Sequence, residues 1–342
     1  MIDSRKPLSH AAICVCGALA TAPVANAQQA GGNGAPAPDP TSIWTLQDEN
    51  ASISTAKLTD RYYVNGFRLG WTSGTDTTPD FLRQAGRVLW GDGQTRISFD
   101  LTQQIYTPAD TQAYNPPLDD RPYAGVLLGN FGLITDTSDA RSSITISAGV
   151  VGPWALAEQV QNGFHNIIGQ NKTNGWHYQI PNTFAIEGVT ARTWRLPITT
   201  VGNMEVDALP ELDAGLGDVR IYGETGAVFR LGQGLDSDFG VARVRPGMSG
   251  GDAFKPTRPI PWYVFAGADG QAVAYDITLN GSPFESSRSV TLKPLVGELE
   301  VGFAVMAYGT RFTYTQVFQT QEFQHQKGGL HQFGSFALSV RF

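Results

Sequence analysis

Residues 331–342 read HQFGSFALSVRF, and this stretch sets the class of fold. Phe336, Leu338, Val340 and Phe342 alternate with small or polar residues, so their side chains share one face of an extended strand. A strand of about ten residues that alternates in this way is typical of transmembrane barrels. The terminal aromatic residue is the usual signature of barrels handed to the barrel assembly machinery. We therefore expect a protein of the cell outer membrane that meets this machinery during biogenesis.

Other segments repeat the alternation and separate charge from apolar surface. In residues 63–72 the large apolar side chains fall on one face and Arg68 falls on the other. In residues 295–305, Glu298 and Glu300 share the face opposite the apolar side chains. Because charge on a lipid-facing surface is costly, we expect these residues to face the barrel lumen.

The full pattern predicts an all-β fold, a twelve-stranded antiparallel transmembrane β-barrel with a short helix in an extracellular loop. Helical spacing appears at residues 80–89, in a periplasmic turn, and at 155–168, within a long extracellular loop covering 152–182. The predicted strands are 44–52, 61–73, 95–107, 121–135, 141–151, 183–195, 203–214, 217–231, 261–278, 292–306, 308–320 and 331–342.

The beginning of the chain resembles an export signal. Residues 1–27 combine an early basic pair, an apolar stretch and an Ala-x-Ala site, which predicts a signal peptide. Residues 28–43 are rich in Gly, Ala and Pro and predict a flexible leader, which leaves 44–342 for the barrel. Both cysteines, Cys14 and Cys16, lie in the predicted signal, so we expect no thiol chemistry in the exported protein.

Composition excludes some classes and leaves one alternative open. The formal net charge is -7 and no block is rich in Lys or Arg, which argues against a nucleic-acid partner. After residue 27 no run of 18 or more apolar residues predicts a spanning helix. A soluble β-sandwich would also show alternating strands and Gly-rich turns, but the aromatic end and the one-sided charges favour a barrel.

Two kinds of candidate catalytic residue stand out. Residues 247–251, GMSGG, match the pattern of a serine nucleophile elbow. That motif requires a following helix, which the nearby prolines do not allow. A Gly-rich loop is therefore the better interpretation. Among the histidines, His325 and His331 flank a Gly-rich loop and fit structural roles. His165 instead lies in the predicted helix of the outer loop.

Several pieces of the chain together resemble the outer-membrane lipid A 3'-O-deacylase family. The similar pieces run in the family's order through nearly all of the predicted mature chain. They are WTLQDENASISTAKLTDRYYVNGFRLGW at 44–71, QQIYTPAD at 103–110, DRPYAG at 120–125, VQNGFHNIIG at 160–169 and FGSFALSVRF at 333–342. The resemblance implies a twelve-stranded barrel that binds lipid A, or lipopolysaccharide, and removes its 3'-linked acyloxyacyl chain in a calcium-dependent hydrolysis.

The resemblance also implies site residues. The catalytic histidine of the family corresponds to His165, the general base for a water molecule, and its asparagine at the end of the first strand corresponds to Asn50. Calcium prefers six to eight oxygen ligands. We expect Asp48 and Glu49 to supply some of them if the strand end is bulged or shifted in register.

Five positions depart from the family pattern. An aspartate and a threonine of the family are replaced by Ala51 and Val64. A basic pair found in some members is replaced by Ala113 and Tyr114, and an acidic residue by Asn171. These losses support a second hypothesis, a catalytically inactive family member that binds lipopolysaccharide.

A third hypothesis is a passive narrow barrel, although twelve strands enclose an interior that side chains can fill. Charged residues at the starts of two predicted strands are assigned to structural ion pairs at the barrel rim. They are Asp60, Arg61, Asp120 and Arg121.

Overall fold

The computed structural model describes residues 36–54, 60–244 and 251–342. These residues form thirteen strand segments and three α-helices. The strands are β1 (Ile43–Asn50), β2 (Tyr62–Thr72), β3 (Gln94–Thr107), β4 (Ala124–Asp136), β5 (Ala140–Val151), β6 (Thr183–Trp194), β7 (Leu196–Val201), β8 (Met204–Gly217), β9 (Arg220–Gln233), β10 (Trp262–Asp276), β11 (Leu295–Ala307), β12 (Thr310–Gln319) and β13 (His331–Arg341). The helices are α1 (Asp80–Trp90), α2 (Ala157–Ile168) and α3 (Ile277–Asn280).

The strands close into one antiparallel barrel. β6 and β7 both pair with β8 and are consecutive parts of one strand, interrupted at Arg195, so the thirteen segments make twelve barrel strands. Closure comes from the pairing of β1 with β13, which runs from Ile43 opposite Arg341 to Asn50 opposite Gly334. The predicted twelve-stranded barrel is confirmed, as are the helices predicted near 80–89 and 155–168.

Alternation along the strands separates an apolar outer face from a polar lumen. In β1, Trp44 and Leu46 are 49% and 48% exposed, whereas Thr45, Gln47 and Glu49 are buried. No helix among the described residues is long and apolar enough to cross a membrane.

A connection between β9 and β10 fills much of the lumen. Its described parts, residues 234–244 and 251–261, place Arg243 beside Glu49, with Nε 3.0 Å from a carboxylate oxygen. Asp252 accepts two hydrogen bonds from Arg68 of β2, at 2.6 and 2.7 Å. The connection therefore neutralises charges that the alternation of the strands directs inward.

The segment before β1 is held against the barrel by hydrogen bonds at Asp39, Thr41 and Ser42. Residues 36–43 belong to the predicted leader, and within them Asp39 is only 4% exposed. Its carboxylate accepts hydrogen bonds from Arg96 at 2.7 Å and from Arg341 at 2.9 Å. Two buried charge-assisted bonds thus fix this part of the segment. The predicted signal peptide and residues 247–250 of the GMSGG stretch lie outside the described residues.

Substitution Arg243→Met tests the inward connection. Arg243 contacts Glu49, Glu298 and Glu300, so its loss leaves three buried carboxylates without this cation. We expect the barrel to lose about 3–5 kcal/mol of unfolding free energy, measured by urea titration of tryptophan fluorescence in detergent. Arg258→Met, which removes a partly exposed partner of Glu205, should cost less than about 1 kcal/mol. Equal losses in the two variants would contradict this account.

Candidate functional site

Helix α2 carries the candidate histidine, and local sequence determines where the helix begins and ends. A turn at Pro153–Ala155 leads into Leu156, which has a φ of 58° and precedes the first helical residue. Gly169, with a φ of 72°, ends the helix, and its N–H bonds to the carbonyl of His165. Glycine adopts this left-handed conformation without a steric penalty.

Helix α2 packs against the outer wall of the barrel. Gln103, on the outer face of β3, donates a 2.6 Å hydrogen bond to the carbonyl of Ala155. A Cβ atom at Gly125 of β4 would lie 2.5 Å from the Cβ of Ala157, so glycine permits the close approach of the helix. The contact is sealed by a buried apolar cluster. Its members are Val64, Ile105, Tyr123, Ala157 and Trp176.

The imidazole of His165 is held on both sides. Its Nδ1 lies 2.7 Å from the carbonyl oxygen of Asn171. Because a carbonyl oxygen only accepts, Nδ1 carries a hydrogen, and Nε2 holds the lone pair in the neutral ring. Nε2 lies 3.3 Å from Oδ2 of Asp60. His165 can therefore take up a proton at Nε2 with a carboxylate beside it.

Gln161, one helical turn before His165, positions the carboxylate of Asp60. Its amide nitrogen donates to Oδ1 of Asp60 at 2.9 Å. Its amide oxygen accepts from Nε1 of Trp176 at 3.1 Å, and Trp176 also donates to the Thr173 hydroxyl at 2.8 Å. The imidazole, the amide and the carboxylate thus form one hydrogen-bonded unit between α2 and the wall.

Burial affects the protonation of this unit. Desolvation raises the pKa of Asp60 above its ordinary value, although the charge of His165 and the hydrogen bond from Gln161 act in the opposite direction. A carboxylate with a raised pKa beside an imidazole can share a proton with it. Such a pair is suited to proton transfer.

The structure places the predicted residues of β1 on different faces. Asp48 and Asn50 lie on the outer face, like Trp44 and Leu46, on the strand next to β2. Glu49 faces the lumen, where its carboxylate accepts from Arg243, from the hydroxyl of Tyr63 at 2.8 Å and from a backbone N–H. β1 pairs regularly along its length, without the bulge that would let Asp48 and Glu49 face one ion.

Asp48 and Asn50 direct side-chain oxygen atoms to the outer face of the barrel. Helix α2 covers another part of this same face. Asp48 accepts a 2.7 Å hydrogen bond from Asn65. The side-chain oxygen of Asn50 accepts from Ser52 N at 2.7 Å. One carboxylate and one amide oxygen are a small share of the ligands that calcium requires. These donors fit a calcium ion only if other oxygens complete its shell.

The departures from the family pattern have structural counterparts. Ala51 is fully buried, and Val64 packs in the apolar cluster beneath α2. Asn171 contacts His165 through its backbone carbonyl, so this contact does not depend on the type of side chain. Tyr114 stacks edge-on with Tyr178 in the neighbouring loop, and no catalytic group contacts it among the described residues.

Sequence reasoning missed Asp60 as a site residue. It assigned Asp60 to a rim ion pair, whereas the structure places its carboxylate against His165 and Gln161. For Arg121 the rim assignment holds, since its guanidinium pairs with Glu322 at 2.6 Å. One feature of the sequence could have indicated Asp60. It lies in the segment TDRYYV, which also contains Val64, one of the positions that depart from the family pattern.

The closed barrel is typical of an outer-membrane protein, and its candidate site is a histidine and a carboxylate between the outer wall and a surface helix. The family model described as outer membrane protein LpxR matches residues 12–342. The chain belongs to the LpxR family. The family match supports an outer-membrane lipid A deacylase-like protein.

One of three similar solved structures, from Salmonella typhimurium, supports the fold. LpxR from Salmonella typhimurium is similar with a TM-score of 0.72 and 21% identity, over 88% of this chain and all of that one. A bacterial polysaccharide outer membrane secretin, at 10% identity, covers 89% of this chain and 99% of its own, with a TM-score of 0.37. The β domain of the Bordetella autotransporter BrkA, also at 10%, covers 89% and 98%, with a TM-score of 0.39. No curated protein sequence matches the chain.

Substitution Gly125→Ala tests the packing of α2. The added methyl group would overlap Ala157, so α2 must move away from the wall while the barrel strands stay paired. We expect faster amide hydrogen exchange in residues 157–168, measured by mass spectrometry of the folded barrel. Gly129→Ala, on the same strand, has its nearest neighbour at 3.8 Å and should exchange like the unmodified protein. Unchanged exchange in Gly125→Ala would refute the tight contact.

Proposed function

We propose that this protein is an esterase of the outer leaflet that hydrolyses the 3'-acyloxyacyl ester of lipid A, with His165 as the general base. The observation that carries the proposal is the contact of His165 Nε2 with Asp60 at 3.3 Å beneath an exposed apolar helix. Membership in the LpxR family supports the same chemistry.

The base works at Nε2. The hydrogen bond from Nδ1 to the Asn171 carbonyl fixes the ring and leaves Nε2 able to accept a proton from water. The resulting hydroxide attacks the ester carbonyl, and the proton returns to the alkoxide that leaves. Asp60 stabilises the imidazolium in between, because a negative carboxylate lies beside it.

The outer surface of α2 suits an acyl substrate. Gln161 and His165 face the wall, and α2 also exposes four large apolar residues beside them: Val160, Phe164, Ile167 and Ile168. Trp154 and Phe184, both exposed, pack together beside it with ring centroids 5.5 Å apart. An acyl chain entering from the membrane would meet this surface before it reaches His165.

We propose calcium as the cofactor, held on the outer wall by Asp48 and Asn50. Their outward direction supports this assignment, and the inward direction of Glu49 removes it from the ligand set. Bound there, calcium would supply charge stabilisation for the carbonyl oxygen during hydrolysis. Water and lipid phosphate are the chemically suitable oxygens to complete the shell.

Lipid A from cells that express the protein tests the proposal directly. We expect mass spectrometry to show loss of the 3'-acyloxyacyl mass, and His165→Ala to reduce the turnover by about 10²–10⁴-fold, the usual contribution of a general base. His177→Ala is the matched control, since His177 is exposed in the same loop. Unmodified lipid A with the folded native barrel, or full turnover in His165→Ala, would refute the proposal.

The pH dependence tests the role of Asp60. Protonated Asp60 carries no charge to stabilise an imidazolium, so activity should be present above the raised pKa of Asp60 and fall as the pH drops through it. Asp60→Asn should lower kcat by at least about tenfold and remove this acid limb. Asp110→Asn, in an exposed loop, should keep the native profile. Identical profiles for Asp60→Asn and the native protein would exclude a role in proton transfer.

A second candidate is an inactive family member that binds lipopolysaccharide. The observation that favours it is the apolar packing of Val64 where the family pattern has a threonine. Unmodified lipid A together with retained lipopolysaccharide binding would establish this function. The passive pore finds less support, because the connection between β9 and β10 occupies the lumen and leaves a polar cavity of about 250 Å³.

For biogenesis, we propose recognition by the barrel assembly machinery through β13. This strand alternates exposed Phe336, Leu338 and Val340 with buried positions and pairs with β1 to close the barrel. Its outward apolar face is available for recognition before closure.

A further inference from the structure

A belt of carboxylates crosses the lumen, away from the site at α2. It lies on the inward face of four neighbouring strands, β8 to β11. Asp213 of β8 stands directly opposite Glu224 of β9, and Asp269 of β10 stands opposite Glu298 of β11. Like charges placed directly opposite each other destabilise a sheet. This arrangement needs a compensating positive charge.

Three members of the belt converge. Glu211, Asp213 and Glu224 each place a carboxylate oxygen within 4.8 Å of the others. Their exposed fractions are 2%, 7% and 4%, so all three are at least nine-tenths buried. Asp213 also borders the lumen cavity of about 250 Å³.

Glu224 is the group whose surroundings point to a ligand. Neither of its carboxylate oxygens has a hydrogen-bond partner among the described residues. The nearby described arginines have other partners: Arg243 contacts Glu49, Glu298 and Glu300, and Arg220 lies 3.7 Å from Asp276. A buried carboxylate without hydrogen bonds is strongly unfavourable unless a cation or a proton neutralises it.

We propose that Glu211, Asp213 and Glu224 bind a divalent cation of the calcium type inside the barrel. The donors are carboxylate oxygens, which hard cations prefer, and three carboxylates can supply up to six ligands when each binds through both oxygens. The ion links β8 to β9 and offsets the repulsion across the belt. This site lies inside the barrel and is independent of the proposed esterase function on the outer wall.

Terbium luminescence tests the site, since terbium replaces calcium and is excited through nearby tyrosines. Tyr222 shares the inward face of β9 with Glu224, two residues away. Chelator-treated protein in detergent, free of lipopolysaccharide, should show saturable emission that calcium displaces. Tyr222→Phe should reduce the intensity with an unchanged affinity. Glu224→Gln should weaken binding by at least about tenfold, because even the loss of a group supporting a metal ligand costs ten- to hundredfold.

Two further variants separate this site from other sources of signal. Glu187→Gln changes another buried glutamate of the barrel interior, outside the cluster, and should bind terbium like the native protein. Asp48→Asn removes a proposed calcium ligand of the outer face, so the terbium emission that remains in this variant reports the lumen site. Calcium should raise the unfolding temperature of the native protein by more than that of Glu224→Gln, which keeps only the proposed site on the outer wall. Equal terbium affinity, or equal calcium stabilisation, in Glu224→Gln and the native protein would overturn the proposal.

Discussion

Closure of the sheet between β1 and β13 is the constraint on which the rest of the structure depends. In a bilayer every backbone polar group of a strand must find a partner within the protein, and only a closed barrel achieves this with strands. Closure then divides each strand into a lipid face and a lumen face. Arg68, Glu298 and Glu300 are therefore directed inward, where Asp252 and Arg243 of the β9 to β10 connection meet them.

The division of each strand into a lipid face and a lumen face also explains the position of the candidate site. Outward positions near the strand ends are polar in β1 and β2, as Asp48, Asn50 and Asn65 show. Helix α2 packs on the adjoining wall through Ala157, Gln161 and His165, and it exposes several large apolar residues, among them Phe164 and Ile167. We propose that this arrangement sets a proton-transfer pair next to a surface that suits acyl chains.

Much of the fold follows from the sequence because period-two alternation repeats in most strands. Strand number, both longer helices and the inward direction of Glu298 and Glu300 were predictable in this way. The continuation of the β6 strand as β7 was not, since the predicted strand ends at 195 and all six residues of β7 are exposed, without alternation. The inward path of the β9 to β10 connection could not be predicted either, because the residues it contacts are distant in sequence. Arg68 and Asp252 are one such pair.

The site was predictable only in part. The helical stretch and the resemblance identified His165, but no spacing rule connects it to Asp60, 105 positions earlier, which lies outside the strands. The same limit applies to Glu211, Asp213 and Glu224, whose strands must pair before their carboxylates converge. The sequence did not fix the direction of Asn50, and the regular pairing of β1 places it outward while Glu49 faces the lumen.

The most direct test of the central claim is hydrolysis of purified lipid A by the purified barrel in ¹⁸O-labelled water. Attack of water on the ester carbonyl predicts one labelled oxygen in the carboxylate of the released acyloxyacyl acid and none in the sugar hydroxyl. Release of this acid without label, or no release by a folded and calcium-supplied barrel, would contradict the assignment of His165 as a base that activates water.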